Sequence, residues 1–250
     1  ALAKGRGQAE GEAAVACWQQ RHLRESDGPL LGVPWILDID STIKTIYGHQ
    51  EGAEVGYNPH KRGRPSHVYH TYLMGGTRVV LDVEVQPGKQ TAAHHALPGL
   101  WRFGAALPAN ARPYLVRGDC AFGQEGVLVA AETRAQDYLF KLRLTRRPKD
   151  LIRLLEQQGQ WQEAGQGWQG RQSVLQLQGW SRARRVIVLR RPVKTTAAPP
   201  APVAQRLLDW AQPFATAAPQ YEYAVLVTSL KLEVLAVAQL YRDRGDAENN

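Results

Sequence analysis

The chain has 250 residues and a mass of 27.8 kDa, with 44% hydrophobic residues and 31 Lys plus Arg against 23 Asp plus Glu, a formal charge of +8. That composition suits one large folded domain, or one domain with an insert, and excludes a mostly disordered chain. Only two cysteines occur, Cys17 and Cys120, and no run of about 18 apolar residues, so a disulfide scaffold, a four-thiolate zinc site and a membrane-spanning helix are all excluded.

No basic-then-apolar leader follows Ala1, and a reducing, cytoplasmic setting is expected. The missing initiator Met and the helical pattern at Asn250 give the expectation of a fragment of a longer protein. Residues 1–32 read as a linker from an upstream region, with a short helix around Ala14–Arg24 broken by Gly28-Pro29 and Gly32. Val33–Asp40 has apolar residues on both faces, as in a central strand covered on each side, and is expected to end at Asp40-Ser41-Thr42. Residues 48–66 are glycine-rich and loop-like and carry the basic cluster Lys61, Arg62 and Arg64.

Strands are predicted at His67–Met74 and Arg78–Gln86 around a Gly75-Gly76-Thr77 hairpin turn. A helix over Thr91–Phe103 follows, with Pro98 an awkward member. Tyr114–Arg117 is a short apolar strand running into Gly118-Asp119, Gln124–Arg134 a helix, and Tyr138–Leu144 a strand. Further strands are predicted at Ser173–Gln178, Arg184–Arg191 and Tyr221–Ser229, with a Pro-rich linker at Thr195–Pro202 and a last helix over Leu232–Asn250. The order predicts a mixed α/β sheet with helices on its faces.

The charge is uneven. Residues 141–194 hold 13 Lys or Arg against three acids, a net of +10, in a frame that is otherwise slightly acidic. A polyanion-facing surface has this footprint, and so does a solvated basic face. Trp161, Trp168 and Trp180 within it are expected to form a small core, with base stacking as the other use.

The carboxylates are the informative residues. Asp38 and Asp40 share one strand face, and Asp119 follows a second short apolar strand. If the two strands are parallel neighbours, Asp40 and Asp119 sit side by side at the carboxyl edge, where open α/β sheets bind ligands. A strand-end Asp alone is ordinarily a turn residue. Together the pair would repel unless a divalent cation joined them, and hard oxygens select Mg²⁺ or Mn²⁺. Tyr241, Arg244 and Glu248, at i, i+3 and i+7, share one face of the last helix. His94-His95, His60, His67 and His70 lack zinc-like spacing, Cys120 has no neighbouring His, and the glycines match no phosphate or dinucleotide loop.

Asp-Ser-Thr after an apolar strand, Arg-Gly-Asp after a second, and a helix bearing Tyr-x-x-Arg-x-x-x-Glu resemble the DDE transposases of bacterial insertion sequences, in the branch defined by that Tyr–Arg–Glu signature. Gln50-Glu51-Gly52, Gly56-Tyr57-Asn58-Pro59 and Lys61–Pro65 are similar to the loop of one subgroup, and the resemblance covers about residues 33–250. It implies an RNase H-like core in two parts, 33–144 and 221–250, with a basic β-rich insertion and linker at 145–220 before the last helix. It implies Asp40, Asp119 and Glu248 as catalytic and metal-binding residues for two Mg²⁺ or Mn²⁺ ions. Tyr241 and Arg244 would meet the DNA at the transposon end, and Lys61, Arg62 and Arg64 its backbone. The activity implied is metal-dependent phosphodiester hydrolysis and strand transfer. The partners implied are transposon ends and target DNA, with a homodimer in the DNA complex, no membrane, and a bacterial, nucleoid-associated location. The alternatives are a catalytically dead DNA-binding remnant, an RNase H-like nuclease without strand transfer, and a metal-free carboxylate glycosidase, which the basic segment disfavours.

Overall fold

The computed structural model describes residues 28–77, 79–91, 93–193 and 220–248, with side chains through Arg244, and scattered helical positions between 11 and 25. The predicted Thr195–Pro202 linker lies outside the described residues. Ten strands form one sheet: β1 Ile36–Thr45, β2 Glu54–Val55, β3 Pro65–Met74, β4 Val79–Pro87, β5 Leu115–Gly118, β6 Asp137–Lys141, β7 Gln162–Glu163, β8 Gln169–Leu175, β9 Arg184–Pro192 and β10 Tyr221–Thr228. Their order is β2-β3-β1-β5-β6-β10-β9-β8-β7, with β4 also beside β3.

The early strands pair antiparallel, β1 with β3 and β3 with β4, whereas β1, β5 and β6 run parallel. The β4-β3-β1-β5-β6 half is therefore the expected mixed sheet. Every residue of β5 is buried, as is the middle of β6, because helices cover both faces there. Leu97–Ala106, Glu125–Thr133 and Arg146–Gln158 pack on one face through Leu100, Phe103, Leu128, Ile152 and Leu155. The helix Val234–Glu248 covers the other through Val234, Val237 and Ala238, against Leu115, Leu139, Ile187 and Leu226.

Three expectations are corrected. β1 continues five residues beyond Asp40, because Ser41–Thr45 pair with Ser66–His70 of β3 after β5 has ended. Pro98 fits because its helix starts at Leu97, leaving the proline in the first turn, where its missing N–H has no intrahelical partner to lose. The basic segment opens with a helix, Arg146–Gln158, as well as strands: Pro148 lies in its first turn, Leu151, Ile152 and Leu155 are buried, and Gly159 (φ 68°) ends it. The strands of that segment extend the main sheet through β9, which pairs with β10.

Candidate active site

Parallel register sets the centre. Asp38 stands opposite Arg117, and Ile39 opposite Gly118, the last paired residue of β5. Asp40 and Asp119 occupy the next positions on neighbouring strands, which lie about 4.8 Å apart. β6 continues the row: Gly118 is opposite Phe140, so Lys141 ends the third parallel strand beside Asp119.

The two aspartates on one face of β1 have different surroundings. Asp38 is 5% exposed and pairs with Arg117, which is 1% exposed. Nη2 of Arg117 donates to Oδ2 at 2.7 Å and Nε donates to Oδ1. Its Nη1 donates to the Leu240 carbonyl of the last helix. Asp38 is thereby committed to structure. The Asp40 side chain keeps 37% of its surface exposed, with Oδ1 accepting from the Ser41 N–H at 2.8 Å and standing 3.6 Å from Nη2 of Arg244. Asp119 accepts from the Ala121 N–H through Oδ1 at 2.8 Å, a turn that fixes its carboxylate just past the strand. Each of these two carboxylates keeps Oδ2 without a hydrogen bond among the described residues.

The last helix lies alongside. Leu240 meets Arg117, and Arg244, four residues on, meets Asp40, so the helix runs in the same direction as β1. Arg244 is buried rather than turned to solvent, and Tyr241 is half-buried. Glu248 is helical and one turn, about 6 Å, beyond Arg244; its side chain lies outside the described residues. Among the described residues, no three His, Cys, Asp or Glu side chains gather into a metal cluster. The carboxylate oxygens of Asp40 and Asp119 are hard donors of the kind Mg²⁺ and Mn²⁺ prefer, so the chemistry of the donor set fits such an ion.

Lys61, Arg62 and Arg64 are exposed on the loop between β2 and β3, and Arg64 lies over the Tyr47 ring at 5.8 Å. Asn58 holds this loop. It is buried, accepts from the N–H groups of His60 (3.1 Å) and Lys61 (3.0 Å), and donates to Thr45 Oγ1 at 2.9 Å. A Cβ on Gly56 would lie 1.9 Å from the Gly88 carbonyl oxygen, so only glycine allows the loop to cross the end of β4 there. Thr45, where Asn58 anchors the loop, is five residues, about 17 Å, along β1 from Asp40.

The basic segment is less available than its charge suggests. Arg184 is paired with Glu125 (2.6 Å) and Glu132 (2.7 Å), Arg182 with Glu132 (2.9 Å), Arg190 with Glu156 (2.6 Å), Arg153 with Asp150 (2.6 Å) and Arg191 with Glu222. Arg171 donates to the Gly159 carbonyl at 2.6 Å and Arg185 to the Leu232 carbonyl at 2.6 Å. The tryptophans are covered by the same arginines: Trp161 by Arg190 (4.3 Å), Trp168 by Arg191 (4.8 Å) and Trp180 by Arg184 (5.1 Å).

A cleft of about 830 Å³ opens from Asp119 and Ser41, bordered by Tyr57, Gln124, Lys141 and Arg143. Its relation to the carboxylates was missed from sequence, although Lys141-x-Arg143 closing a third apolar strand was the available signal. Ser41 Oγ is 2.8 Å from His70 Nδ1, while His70 Nε2 lies 3.3 Å from the Gln90 carbonyl. Burial lowers the pKa of His70 and outweighs the Gln90 bond. With both ring nitrogens engaged, His70 is not available as a metal ligand.

Residues 33–250 match the sequence profile of a family described as "Transposase DDE domain group 1". No curated protein matches the chain. Among solved structures, it is similar to piggyBac transposase in a synaptic complex with hairpin DNA, at 10% identity and a TM-score of 0.48, covering 86% of this chain and 39% of that one.

Proposed function

Because this chain belongs to the transposase DDE domain family over residues 33–250, we propose that it hydrolyses phosphodiester bonds at transposon ends and transfers the freed 3′ ends to target DNA, using Asp40, Asp119 and Glu248. The observation that carries the reading is the placement of Asp40 and Asp119 one step beyond the last register pair of β1 and β5, each with a carboxylate oxygen free of hydrogen bonds among the described residues. The helix bearing Glu248, docked through Arg117 and Arg244, supports the third member. The Tyr241, Arg244, Glu248 spacing supports the insertion-sequence branch.

Asp40 and Asp119, with Glu248, would hold two Mg²⁺ or Mn²⁺ ions, which supply activation of the attacking oxygen and stabilisation of the leaving 3′ oxygen. The chain's own groups set that stage. The Ser41 and Ala121 N–H groups fix one oxygen of each Asp, leaving the other presented at the edge. Arg244 offsets negative charge at Asp40 and is a guanidinium suited to a phosphate oxygen arriving there. Lys61, Arg62 and Arg64 hold the DNA backbone at a distance from the scissile bond, an affinity that falls with salt. Most arginines of residues 141–194 are assigned to internal pairing instead.

The test is nicking of a duplex carrying the element's end, with Mg²⁺ or Mn²⁺ titrated in. Asp119→Ala should abolish nicking and leave DNA binding near normal. Nicking that survives the substitution rejects the site.

A further inference from the structure

We propose that His70 is a positioning residue for the Asp40 carboxylate, acting through Ser41, and that it thereby raises the affinity of that carboxylate for a divalent cation. The inference rests on the reading of Asp40 as a metal ligand and deepens it.

Asp40 depends on its neighbours for direction. β5 ends at Gly118, opposite Ile39, so from Asp40 to Thr45 β1 keeps β3 as its strand neighbour among the described residues. The partly exposed Asp40 side chain accepts from the N–H of the next residue: Ser41 donates to Oδ1 at 2.8 Å. The direction of the carboxylate therefore follows the peptide group between residues 40 and 41.

Ser41 is in turn held from the opposite face of the sheet, where it stands directly across from His70 on β3. Ser41 Oγ and His70 Nδ1 are 2.8 Å apart, and His70 Nε2 lies 3.3 Å from the Gln90 carbonyl oxygen. A carbonyl oxygen can only accept, so Nε2 carries the ring proton. Burial lowers the pKa of the ring and keeps it neutral at neutral pH. Nδ1 is then an acceptor, and the Ser41 hydroxyl donates to it. The Gln90 carbonyl is itself fixed, because the Gln90 N–H donates to the Pro87 carbonyl at 2.8 Å and closes the turn after β4. A relay of hydrogen bonds thus runs from that turn through the imidazole to Ser41 and on to Asp40. His70 is 1% exposed, so its bonds are shielded from water.

Two apolar side chains would fill this cross-strand position without desolvating an imidazole. What the polar pair adds is direction: a hydroxyl committed to one acceptor has one rotamer, and it fixes the residue whose N–H holds Asp40. Removing groups that orient a metal ligand from behind costs about 10- to 100-fold in metal affinity or activity.

The test uses the ¹⁵N-labelled full chain. In EDTA, the ring nitrogens of His70 should show a neutral imidazole protonated at Nε2, and Ser41→Ala should move the Nδ1 signal to that of an unbonded nitrogen. Mn²⁺ is then titrated into EDTA-free protein, where paramagnetic broadening of the Ser41 and Ala121 amides reports binding beside Asp40 and Asp119 without turnover. His70→Val fills the space but offers no acceptor. It should keep an unfolding midpoint near the parent's, yet raise the Mn²⁺ needed for half-broadening and for half-maximal nicking by about 10- to 100-fold. Ser41→Ala should do the same. His70→Asn, whose Oδ1 can take the place of Nδ1 and accept from Ser41, should recover most of the affinity. His94→Ala, at an exposed position outside the relay, should match the parent. An unchanged Mn²⁺ requirement in His70→Val and Ser41→Ala overturns the proposal, and so does a His70→Asn variant no better than His70→Val. If His70→Val fails to fold, Ser41→Ala decides, since it removes one hydroxyl from a half-buried position. If Mn²⁺ binding weakens as stated but no divalent ion supports nicking by the parent, the catalytic reading fails and the positioning role stands.

Discussion

Arg117 and Asp38 form a two-pronged ion pair inside the sheet, and the third arm of the same guanidinium reaches the Leu240 carbonyl of the helix that carries Glu248. One side chain thus joins β1, β5 and the last helix. Breaking a buried pair by removing one partner strands the other's charge and costs about 3–5 kcal/mol, whereas replacing both by apolar groups costs far less. Arg117→Met should therefore lower unfolding free energy by about that amount in urea melts, and Arg117→Met with Asp38→Leu should recover much of the loss. A single variant losing under about 1 kcal/mol would show that the pair does not hold the sheet and helix together.

Gly118 lies between that arginine and Asp119. Its backbone is ordinary; the constraint is space. A Cβ there would lie 2.9 Å from both Ile39 Cγ1 and Phe122 Cδ2, and 3.2 Å from the Ile39 carbonyl oxygen. Gly118→Ala must push the end of β5 from β1 and move Asp119 relative to Asp40. A displacement approaching 1 Å costs a reaction on the order of 10²-fold. Nicking should fall by at least about 10-fold while duplex binding changes less than about two-fold. Equal losses in both assays would mean the substitution acts by unfolding the domain.

The neighbouring placement of Asp40 and Asp119 was legible in part: Asp119 does follow the end of a short apolar strand, whereas Asp40 lies within β1, not at its end. A short apolar run followed by Asp marks a carboxyl edge whichever strand lies beside it. The basic segment was not legible, because its counter-ions are remote in sequence: Glu125 and Glu132 come from the helix Glu125–Thr133, and Glu222 from β10. Counting charges along residues 141–194 cannot reveal acids that folding delivers from elsewhere. The helix Arg146–Gln158 was hidden by its charged face, although Pro148, the Leu151, Ile152, Leu155 spacing and Gly159 marked it. The end of β1 was misplaced for a related reason: Ser41 and Thr42 look like a turn until β3 supplies their partners.

Asn58 is the buried hinge-pin of the basic loop. Its side chain satisfies two backbone N–H groups and reaches Thr45 on β1. Asn58→Ala leaves those groups without their partner, a loss of about 1–3 kcal/mol that falls mainly on the loop. The loop carrying Lys61, Arg62 and Arg64 should become the first site of trypsin cleavage, and duplex affinity should drop while the midpoint of global unfolding moves little. Unchanged proteolysis would remove Asn58 from this role.

Glu132 gives the fold an acid limit. The Arg184 hydrogen bonds, reinforced by Arg182 and the Tyr138 hydroxyl against the cost of burial, pull its carboxyl from 4.5 down to about 2. A carboxyl depressed by folding stabilises the native state fully above its unfolded value and loses that contribution as pH falls through the folded one. The window is therefore about pH 4.5 down to pH 2, and the contribution is on the order of 3 kcal/mol. The burial of Arg184, whose side chain is 2% exposed, keeps the pair from being screened as a surface pair would be. Urea unfolding at pH 6 and pH 3 should show a steep loss of stability in the parent. Glu132→Gln should start lower at pH 6 and lose less on acidification, so that the two curves converge towards pH 2. Parallel curves across that range would place the acid sensitivity in other carboxylates.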